Sequence, residues 1–349
     1  LMTHTSSIQD NGIVLDTYYD YPDPTISLAD CMQRYFSISG VDYDPDENFL
    51  TDAPGDYYMY SNIATALNGY LVERAADMPF DDYCTENIFA PLCMSKTAWH
   101  IAAFDTNEVA RPYAYSGGNY VPYPHYGFAD YPDGQLRSNV VDIGNFMLAY
   151  LSGGMLGTNS FISQASINEM WSEQVPELEP SQGLNWYQEE LYHSNGTTWL
   201  WGHNGGESGA STDMYLDPVN DIGICVLTNG EGDALYICDA LYNYALSLNA
   251  AAGIIPNCTD VLGNERIEPI VPSVFPNPTT NTLSFDLSAV KGNSDIVILN
   301  YEGKEVLRKN NLAPALHRIT FDLPFGMYVY RIVTSSVIEQ YCGKFLVVE

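Results

Sequence analysis

Two short stretches of the chain combine side chains that could take part in acyl transfer. Residues 60–62 read Tyr-Ser-Asn where an apolar, periodic run begins, and residues 203–206 read His-Asn-Gly-Gly within a run typical of a strand. Acyl transfer needs donors aimed at a developing oxyanion, and a backbone N–H free of side-chain bulk at Gly205 or Gly206 can approach a substrate closely. His203 stays titratable near neutral pH. The two stretches predict a catalytic site only if the fold brings them together.

The Tyr-Ser-Asn triplet also has a purely structural explanation. Ser61 or Asn62 is the expected N-cap of a helix, where its side chain accepts a hydrogen bond from an otherwise unpaired backbone N–H. A base role for Tyr60 requires a neighbouring cation, because the pKa of an unperturbed tyrosine is about 10.

The elements that must position these residues are readable from hydrophobic periodicity. Helices are predicted over 62–76 and 139–152, around Leu28 to Tyr35, from Phe80 to Phe89, from Ser163 to Glu173, and over 234–248. Strand-like runs cover 197–206, 211–218 and 221–230. This order predicts an α+β fold in which helices flank an antiparallel sheet. Residues 111–132, dense in Tyr, Pro and Gly, are expected to form a long loop layer over a cleft.

Charge divides the chain into two domains. Acidic residues outnumber basic ones by 44 to 13, a net charge of −31, which excludes nucleic acid as a partner. By residue count, 271–349 holds seven of each sign, so the whole acidic excess precedes residue 271. We predict an α+β domain over 1–250, a linker over 251–270 and a small Ig-like β-sandwich over 271–349. The excess acid is expected to form a solvated face.

Further observations exclude several kinds of site. No apolar run of about 18 residues exists, so no transmembrane segment is predicted. The seven cysteines show no metal-ligand spacing, and neither a metal nor another cofactor is expected. Cys84 and Cys93 are close enough in sequence to form a small disulfide loop in an oxidising compartment.

Four segments together resemble the serine β-lactamase and penicillin-binding-protein-like family, in its class C, esterase and D-aminopeptidase branch. They are HTS at 4–6, YSN at 60–62, PDGQLRSNVVDIGNFM and WGHNGGESG, in that order. LMTHTSSI, GLNWYQEEL and MYLDPVNDIGICVLTNG also look like pieces of that family. The resemblance covers residues 1 to about 250 and implies a β-lactamase/transpeptidase-like fold.

The resemblance implies roles for several residues. The family acylates a serine held in a Ser-x-x-Lys turn, while a Tyr-x-Asn motif supplies a general base and a holder of the substrate amide; these are Tyr60 and Asn62 here. The third family motif corresponds to His203, Asn204 and Gly205. His203 is expected to be catalytic, by hydrogen bonding to the tyrosine or to the substrate's carboxylate. Asn204 is expected to bind substrate, and Gly205 and Gly206 to form the oxyanion strand.

The chain departs from the family pattern at the nucleophile. Its single Ser-x-x-Lys, Ser288 to Lys291, lies in the predicted β-sandwich and is interpreted as a chance match. We therefore expect a serine hydrolase acting on an ester, amide or D-amino-acid peptide, with its Ser-x-x-Lys part missing from this chain. The chain alone is expected to be inactive. The alternative is a pseudo-enzyme that binds peptides or glycans at the cell surface without turnover.

The tail resembles the C-terminal sorting domain of type IX secretion. Its marks are Pro-Asn-Pro-Thr at 276–279, the Gly-x-Tyr strand at 326–328 and the terminal Lys-Phe-x-Val. The resemblance implies signal-dependent export through the periplasm to the outer surface or the medium, with the secretion machinery as the partner of residues 271–349. The plainer alternative is a carbohydrate-binding or spacer Ig-like module.

Overall fold

The computed structural model describes residues 1–248, 273–288, 290, 292–300, 304–334 and 340–348. The chain divides into two units, 1–262 and 263–349, which are described separately. The predicted linker, 251–270, lies outside the described residues.

The helices of the first unit begin close to where periodicity and capping residues place them. They are α1 (Gly12–Leu15), α2 (Leu28–Phe36), α3 (Asn62–Ala76), α4 (Phe80–Cys84), α5 (Val140–Leu151), α6 (Gln164–Met170) and α7 (Leu235–Ser247). Side chains of Ser27, Ser61, Asn139 and Ser163 cap α2, α3, α5 and α6. The predicted helix from Phe80 to Phe89 is α4 followed by a π turn at Thr85–Phe89, and α6 ends three residues earlier than predicted.

The strands of the first unit include one central antiparallel sheet. They are β1 (Tyr19–Asp20), β2 (Tyr113–Ser116), β3 (Asn119–Pro122), β4 (Gly127–Phe128), β5 (Met155–Leu156), β6 (Asn159–Ser160), β7 (Tyr187–His193), β8 (Gly196–Glu207), β9 (Ala210–Asp217) and β10 (Ile222–Thr228). The central sheet has the order β10-β9-β8-β7, and every neighbouring pair is antiparallel. Strand β7 was not predicted, and residues 111–132, expected to be a loop layer, contain the hairpin β2–β3.

Helices cover both faces of this sheet. Leu200, Tyr215 and Ile224 pack with Cys238 and Tyr242 of α7 on one face. Neighbouring strand residues turn to the opposite face, where Trp201, Leu216 and Cys225 pack with Met147 and Tyr150 of α5. Because strand residues alternate, His203 shares the α5 face with Trp201. A third apolar cluster joins α2, α3 and the loops around them. The predicted α+β architecture is confirmed.

The second unit is a β-sandwich. Its strands are β11 (Ser273–Phe275), β12 (Thr282–Asp286), β13 (Ser294–Leu299), β14 (Glu305–Leu312), β15 (Leu316–Thr320), β16 (Gly326–Thr334) and β17 (Gln340–Val347). One sheet has the order β11-β12-β15 and the other β14-β13-β16-β17. Leu283 and Phe285 of the first sheet belong to one buried cluster with Ile296, Ile298 and Ile332 of the second. The fold expected for this region is thereby confirmed.

Cysteines in the described residues do not form the small loop considered from the sequence. Cys84 is a buried free thiol, as are Cys31 and Cys238, whereas Cys93 is disulfide-bonded. The Cys84–Cys93 loop is therefore absent. Within the described ranges, no helix combines the length and the apolarity needed to cross a membrane.

Candidate active site

Ser61 caps the start of α3. Its backbone is extended, with φ −146°, and its Oγ accepts a hydrogen bond from the N–H of Ala64 at 3.1 Å. Ser61 is completely buried, whereas Tyr60 is 43% exposed. The structural explanation of the triplet is therefore correct for its serine, whereas the tyrosine side chain stays partly exposed.

Asp10 holds this helix start from a distant part of the chain. Its Oδ1 accepts hydrogen bonds from Ser61 Oγ at 2.8 Å and from the N–H of Ile63 at 3.1 Å. Its Oδ2 accepts from the backbone N–H and from the side-chain Nδ2 of Asn62, each at 2.9 Å. One hydrogen of the Asn62 side-chain amide is thus used internally, while its carbonyl oxygen can accept a hydrogen bond from a substrate.

Asp10 was missed by sequence analysis. More than 50 residues separate it from the helix that it caps, and no local pattern relates the two. The physical reason for an acid there is general, since a carboxylate is stabilised by the unpaired N–H groups at a helix N-terminus.

His4 packs against Tyr60. The two ring centroids are 4.3 Å apart, and His4 Nδ1 accepts a hydrogen bond from the N–H of Ser61 at 3.2 Å. Burial lowers the pKa of His4 to about 4, and the proximity of His203 contributes in the same direction. His4 is therefore neutral at neutral pH and supports the tyrosine ring.

His203 lies on β8 with its ring centroid 6.2 Å from that of Tyr60. Its Nδ1 donates a hydrogen bond to the carbonyl oxygen of Asn204 at 2.5 Å. Since a carbonyl can only accept, Nδ1 carries the hydrogen and Nε2 keeps a lone pair. Burial lowers the pKa of His203, although the bond to Asn204 acts in the opposite direction. The imidazole is therefore a neutral acceptor beside the tyrosine.

Strand β8 extends beyond its neighbour β7. Their pairing begins at Gly202 with Tyr187, so β9 is the described strand that pairs with residues 203–207. The N–H of Asn204 points to the unpaired edge, where the Tyr187 hydroxyl accepts it at 3.1 Å. Because backbone N–H groups alternate between the two edges of an antiparallel strand, the N–H of Gly206 faces the same open edge. That N–H is available to a substrate oxygen.

The two glycines of β8 differ in their surroundings. Gly205 lies on the same strand face as His203, and a Cβ there would approach Thr212 Oγ1 to 2.7 Å. A Cβ at Gly206 would meet no atom within 4 Å. Alternation also places the side chain of Asn204 on the face opposite His203, so its contribution on the His203 face comes from its backbone. The missing side chain at Gly205 keeps the strand surface beside His203 open.

The structure thus brings Tyr60, Asn62, His203 and the open-edge N–H of Gly206 to one region. A phenol, an amide oxygen, a neutral imidazole and a backbone donor are the groups that acyl transfer uses around a nucleophile. Ser61 cannot serve as that nucleophile because it is buried and its hydroxyl is engaged by Asp10.

Tyr60 has an anionic environment. Burial raises its pKa to about 12, and the carboxylates of Asp133 and Asp10 act in the same direction. Within the described ranges, no Lys or Arg forms an ion pair with either carboxylate. Tyr60 is therefore a neutral phenol at neutral pH, and a base role would require an added cation.

Three further acids, Asp130, Asp133 and Glu207, line this region and do not belong to the solvated face expected of the acid excess. Asp130 is only 4% exposed. Burial raises its pKa to about 7, and burial with the neighbouring Asp130 raises that of Asp133. Burial also raises the pKa of Glu207, whose Oε2 accepts a hydrogen bond from the Tyr19 hydroxyl at 2.8 Å. The local sequence gave no sign of this grouping, because β8 and the loop at 130–133 are far apart along the chain.

Residues 111–126 are fastened to the turn that follows β8. The Tyr126 hydroxyl donates to the carbonyl of Ser208 at 2.8 Å, and Glu231 Oε1 accepts from the Tyr123 hydroxyl at 3.0 Å and from the N–H of Gly209 at 3.1 Å. The β2–β3 hairpin carries an exposed pair of tyrosines, Tyr115 and Tyr120, with ring centroids 5.1 Å apart. The hairpin is thus anchored at its base beside the candidate site.

His100 and Ser288 each make contacts with neighbouring carboxyl groups. His100 lies between Asp23 and Asp81, at 3.8 and 3.7 Å, and lines a groove of about 570 Å³ to which none of the predicted site residues contributes. Ser288 follows β12, where its N–H donates to Asp286, and Lys291 lies outside the described residues. Among the residues that the structure describes, no group of three or more His, Cys, Asp or Glu side chains could hold a metal ion.

Comparison with known proteins supports the same family. The sequence profile of the beta-lactamase family matches residues 1–248, and that of the secretion system C-terminal sorting domain matches residues 273–348. The chain is 27% identical over 203 residues to a protein of Escherichia coli O157:H7 described as a D-alanyl-D-alanine carboxypeptidase. That match covers 50% of this chain and 46% of the relative, so the chain spans less than half of that protein's length.

Two solved structures share the fold. A penicillin-binding protein from Bacillus halodurans has a TM-score of 0.54 at 18% identity and covers 70% of each chain. A D-amino acid amidase from Ochrobactrum anthropi SV3 has a TM-score of 0.51 at 20% identity and covers 70% of this chain and 69% of its own. With the family profile matched along the whole first unit up to residue 248, the chain belongs to the beta-lactamase family.

Proposed function

We propose that this chain carries the substrate-binding and proton-transfer part of a serine hydrolase that cleaves an ester, an amide or a D-amino-acid peptide through an acyl-enzyme. The observation that carries the proposal is the meeting of Tyr60 and His203 beside the open-edge N–H of Gly206. Membership of the beta-lactamase family supports it.

The proposed reaction assigns one step to each group. A serine hydroxyl attacks the substrate carbonyl carbon while the Tyr60 oxygen takes its proton, and the N–H of Gly206 stabilises the oxyanion. The carbonyl oxygen of Asn62 accepts a hydrogen bond from the substrate amide. Collapse of the intermediate breaks the bond to the leaving group, which takes the proton from Tyr60 and leaves the acyl-enzyme. A water molecule then attacks the ester carbonyl carbon and gives its proton to Tyr60, which returns it to the serine oxygen as the acid product is released. His203 Nε2 accepts a hydrogen bond from the tyrosine hydroxyl or from the substrate.

The nucleophile is proposed to come from a Ser-x-x-Lys segment outside the printed sequence. The lysine of that segment would also supply the cation that Tyr60 needs, because an ammonium group nearby lowers the pKa of a phenol. Without it, Tyr60 stays protonated at neutral pH. The printed chain alone is therefore proposed to be inactive.

The second unit is proposed to direct the protein through type IX secretion, to the outer surface or the medium, by contacts of residues 271–349 with the secretion machinery. The match to the secretion system C-terminal sorting domain supports this. Deleting residues 271–349 should leave the first unit inside the cells of a type IX-competent host. Export of the deleted form at the full-length level would contradict the proposal.

A covalent probe tests the catalytic proposal. The printed chain should take no label from a fluorophosphonate or a fluorescent penicillin, whereas the chain extended by its upstream coding region should be labelled at the serine of Ser-x-x-Lys. Replacing that serine with alanine should abolish labelling. Labelling of the printed chain at any residue would overturn the assignment, and an upstream region without Ser-x-x-Lys would favour the pseudo-enzyme that binds peptides or glycans.

A further inference from the structure

Both backbone polar groups of Asn204 already have partners within the chain. Its N–H donates a hydrogen bond to the Tyr187 hydroxyl at 3.1 Å, and its carbonyl oxygen accepts one from His203 Nδ1 at 2.5 Å. In an antiparallel ladder, the N–H and the C=O of one residue point to the same edge of the strand. Two side chains of this chain therefore occupy the places on the open edge of β8 where an added strand would form its hydrogen bonds.

Gly206 is the next residue of β8 that faces the same edge, and its surroundings are different. Strand β9 is its described strand partner, and a Cβ at Gly206 would meet no atom within 4 Å. Hydrogen-bonded residues alternate along an antiparallel strand, so a substrate main chain that pairs with Gly206 would next form hydrogen bonds at Asn204. The open edge thus offers a place for one paired substrate residue, followed by an occupied place.

The direction of β8 decides which part of a substrate would lie at Asn204. In the proposed reaction, the carbonyl that is attacked accepts the N–H of Gly206. For a substrate main chain antiparallel to β8, the residue that supplies this carbonyl lies opposite Gly206, and the chain after the scissile bond runs toward Asn204. The second residue of the leaving group then lies opposite Asn204. The Tyr187 hydroxyl lies where the carbonyl oxygen of that second residue would accept the N–H of Asn204.

Tyr187 is held at this position by contacts on more than one side. It pairs with Gly202 of β8, and its ring meets that of His203 edge-on, with 5.0 Å between the centroids and 70° between the planes. Burial raises the pKa of Tyr187, while hydrogen bonds with Tyr215 and with the N–H of Asn204 act in the opposite direction. The phenol is therefore neutral at neutral pH, and an incoming peptide would have to displace a side chain that is packed and hydrogen-bonded.

We propose that Tyr187 is a specificity-determining residue that limits the length of the leaving group. Its hydroxyl takes the place, at the N–H of Asn204, of the carbonyl oxygen of the second leaving-group residue. The site thus accepts leaving groups of one residue or less, such as ammonia, an alcohol or a single amino acid, and disfavours extended peptides. This role rests on the proposed function, because the N–H of Gly206 sets where the substrate carbonyl lies.

Binding to the printed chain tests the role of Tyr187 without requiring catalysis. The ligands are D-phenylalanine amide and D-phenylalanyl-trialanine amide, which differ in the length of the leaving group, and NMR titration measures their affinities. Wild type should bind the two within about threefold of each other. Tyr187→Ala should bind the longer ligand at least about tenfold more tightly than the shorter one, because it frees a hydrogen-bond donor and the space beside it. Tyr192→Ala, the same change at an exposed tyrosine of β7, should behave as wild type.

Hydrogen exchange provides a readout that a change in stability alone would not produce. In Tyr187→Ala the N–H of Asn204 should exchange faster than in wild type, and the longer ligand, unlike the shorter one, should restore its protection. Tyr187→Phe keeps the ring and removes only the hydroxyl, so it is a second variant to measure if Tyr187→Ala does not fold. In Tyr187→Phe the preference for the longer ligand should rise over wild type by about threefold, with the same pattern of exchange at Asn204.

The outcomes distinguish the role of Tyr187 from the proposed function. A wild-type preference for the longer ligand, or no gain of affinity for it in either Tyr187 variant, would overturn that role. Failure of both ligands to bind any variant would also contradict it, since the freed edge should pair with the longer ligand. Fluorophosphonate labelling of the chain extended to include Ser-x-x-Lys reports on the proposed function independently. Absence of labelling together with the expected gain of affinity would refute that function and leave the occupied edge at Asn204 standing.

Discussion

The ring of Tyr60, at the start of α3, lies 6.2 Å from the ring of His203, on β8. A helix start and a strand separated by some 140 positions of sequence thus face one small region. His4 supports this arrangement, because its ring packs against that of Tyr60 with 4.3 Å between the ring centroids.

The pKa of Tyr60 should respond to its acidic neighbours. Asp133→Asn removes the charge that contributes most after burial, so the tyrosine pKa should fall from about 12 by roughly half a unit to one unit. NMR titration of chains labelled at the tyrosine Cζ measures this. Glu173→Gln, a change of equal charge at an exposed position, should leave the titration of Tyr60 where it was. No movement with Asp133→Asn would place that carboxyl outside the site.

Proline substitutions in β8 should distinguish the N–H that faces the open edge from the N–H that faces β9. Gly206→Pro removes an N–H that faces the open edge, so the thermal midpoint should change little. In the chain extended to include Ser-x-x-Lys, the same substitution should lower the rate of acylation by about 10²–10³. Gly205→Pro removes an N–H that faces β9 and should destabilise the fold. Melting curves and fluorophosphonate labelling rates provide the two readouts. Full labelling by the Gly206→Pro variant would eliminate this N–H as the oxyanion donor.

Asp10 should be important for the stability of the helix start. Asp10→Ala leaves Ser61, Asn62 and Ile63 without their common acceptor, and the free energy of unfolding should fall by about 1–3 kcal/mol. Urea denaturation followed by circular dichroism measures the change. Asp30→Ala, at an exposed first-turn acid of α2, is the matched control and should cost less than about 1 kcal/mol. Equal losses would mean that Asp10 has no special role.

Ser7 occupies a position suited to glycine. Its φ is +62°, and its hydroxyl is buried without a hydrogen-bond partner. Ser7→Gly relieves both costs and should raise the free energy of unfolding by up to about 1 kcal/mol, despite the greater freedom of glycine in the unfolded chain. Ser39→Gly, at an exposed residue outside the positive-φ positions, should not stabilise. A lower thermal midpoint for Ser7→Gly would contradict this interpretation.

The buried carboxyl of Asp130 should make stability depend on pH. Its pKa rises from 3.8 to about 7 on folding, so the folded chain binds more protons than the unfolded chain between about pH 4 and 7. Stability therefore falls as pH rises through that window and levels off above it. Asp130→Asn should reduce the slope and stabilise the protein at pH 8 by about 1–3 kcal/mol. Denaturation midpoints at pH 5 and 8 measure this, with Asp52→Asn at the exposed surface as control; a steeper slope would refute it.

The features that the sequence predicted are those set by residues close together in the chain. Ser61 as a helix cap, the α3 periodicity and the strands from 197 to 230 follow from spacing and capping chemistry over a few residues. Asp10, Asp130 and the unpaired edge of β8 were not predicted, because each depends on contacts between distant segments. Strand β7 was missed because Glu189 and Glu190 interrupt its apolar alternation.

The β2–β3 hairpin joins the rest of its unit through hydrogen bonds near its base, whereas Tyr115 and Tyr120 stand 62% and 73% exposed. Substitutions at that tip would disturb few packing contacts. Strand β8 is held by its own pairing with β9. The tip is thus a place where new molecular preferences could evolve, or be selected from a randomised library of residues 115–120, while the rest of the fold is inherited unchanged.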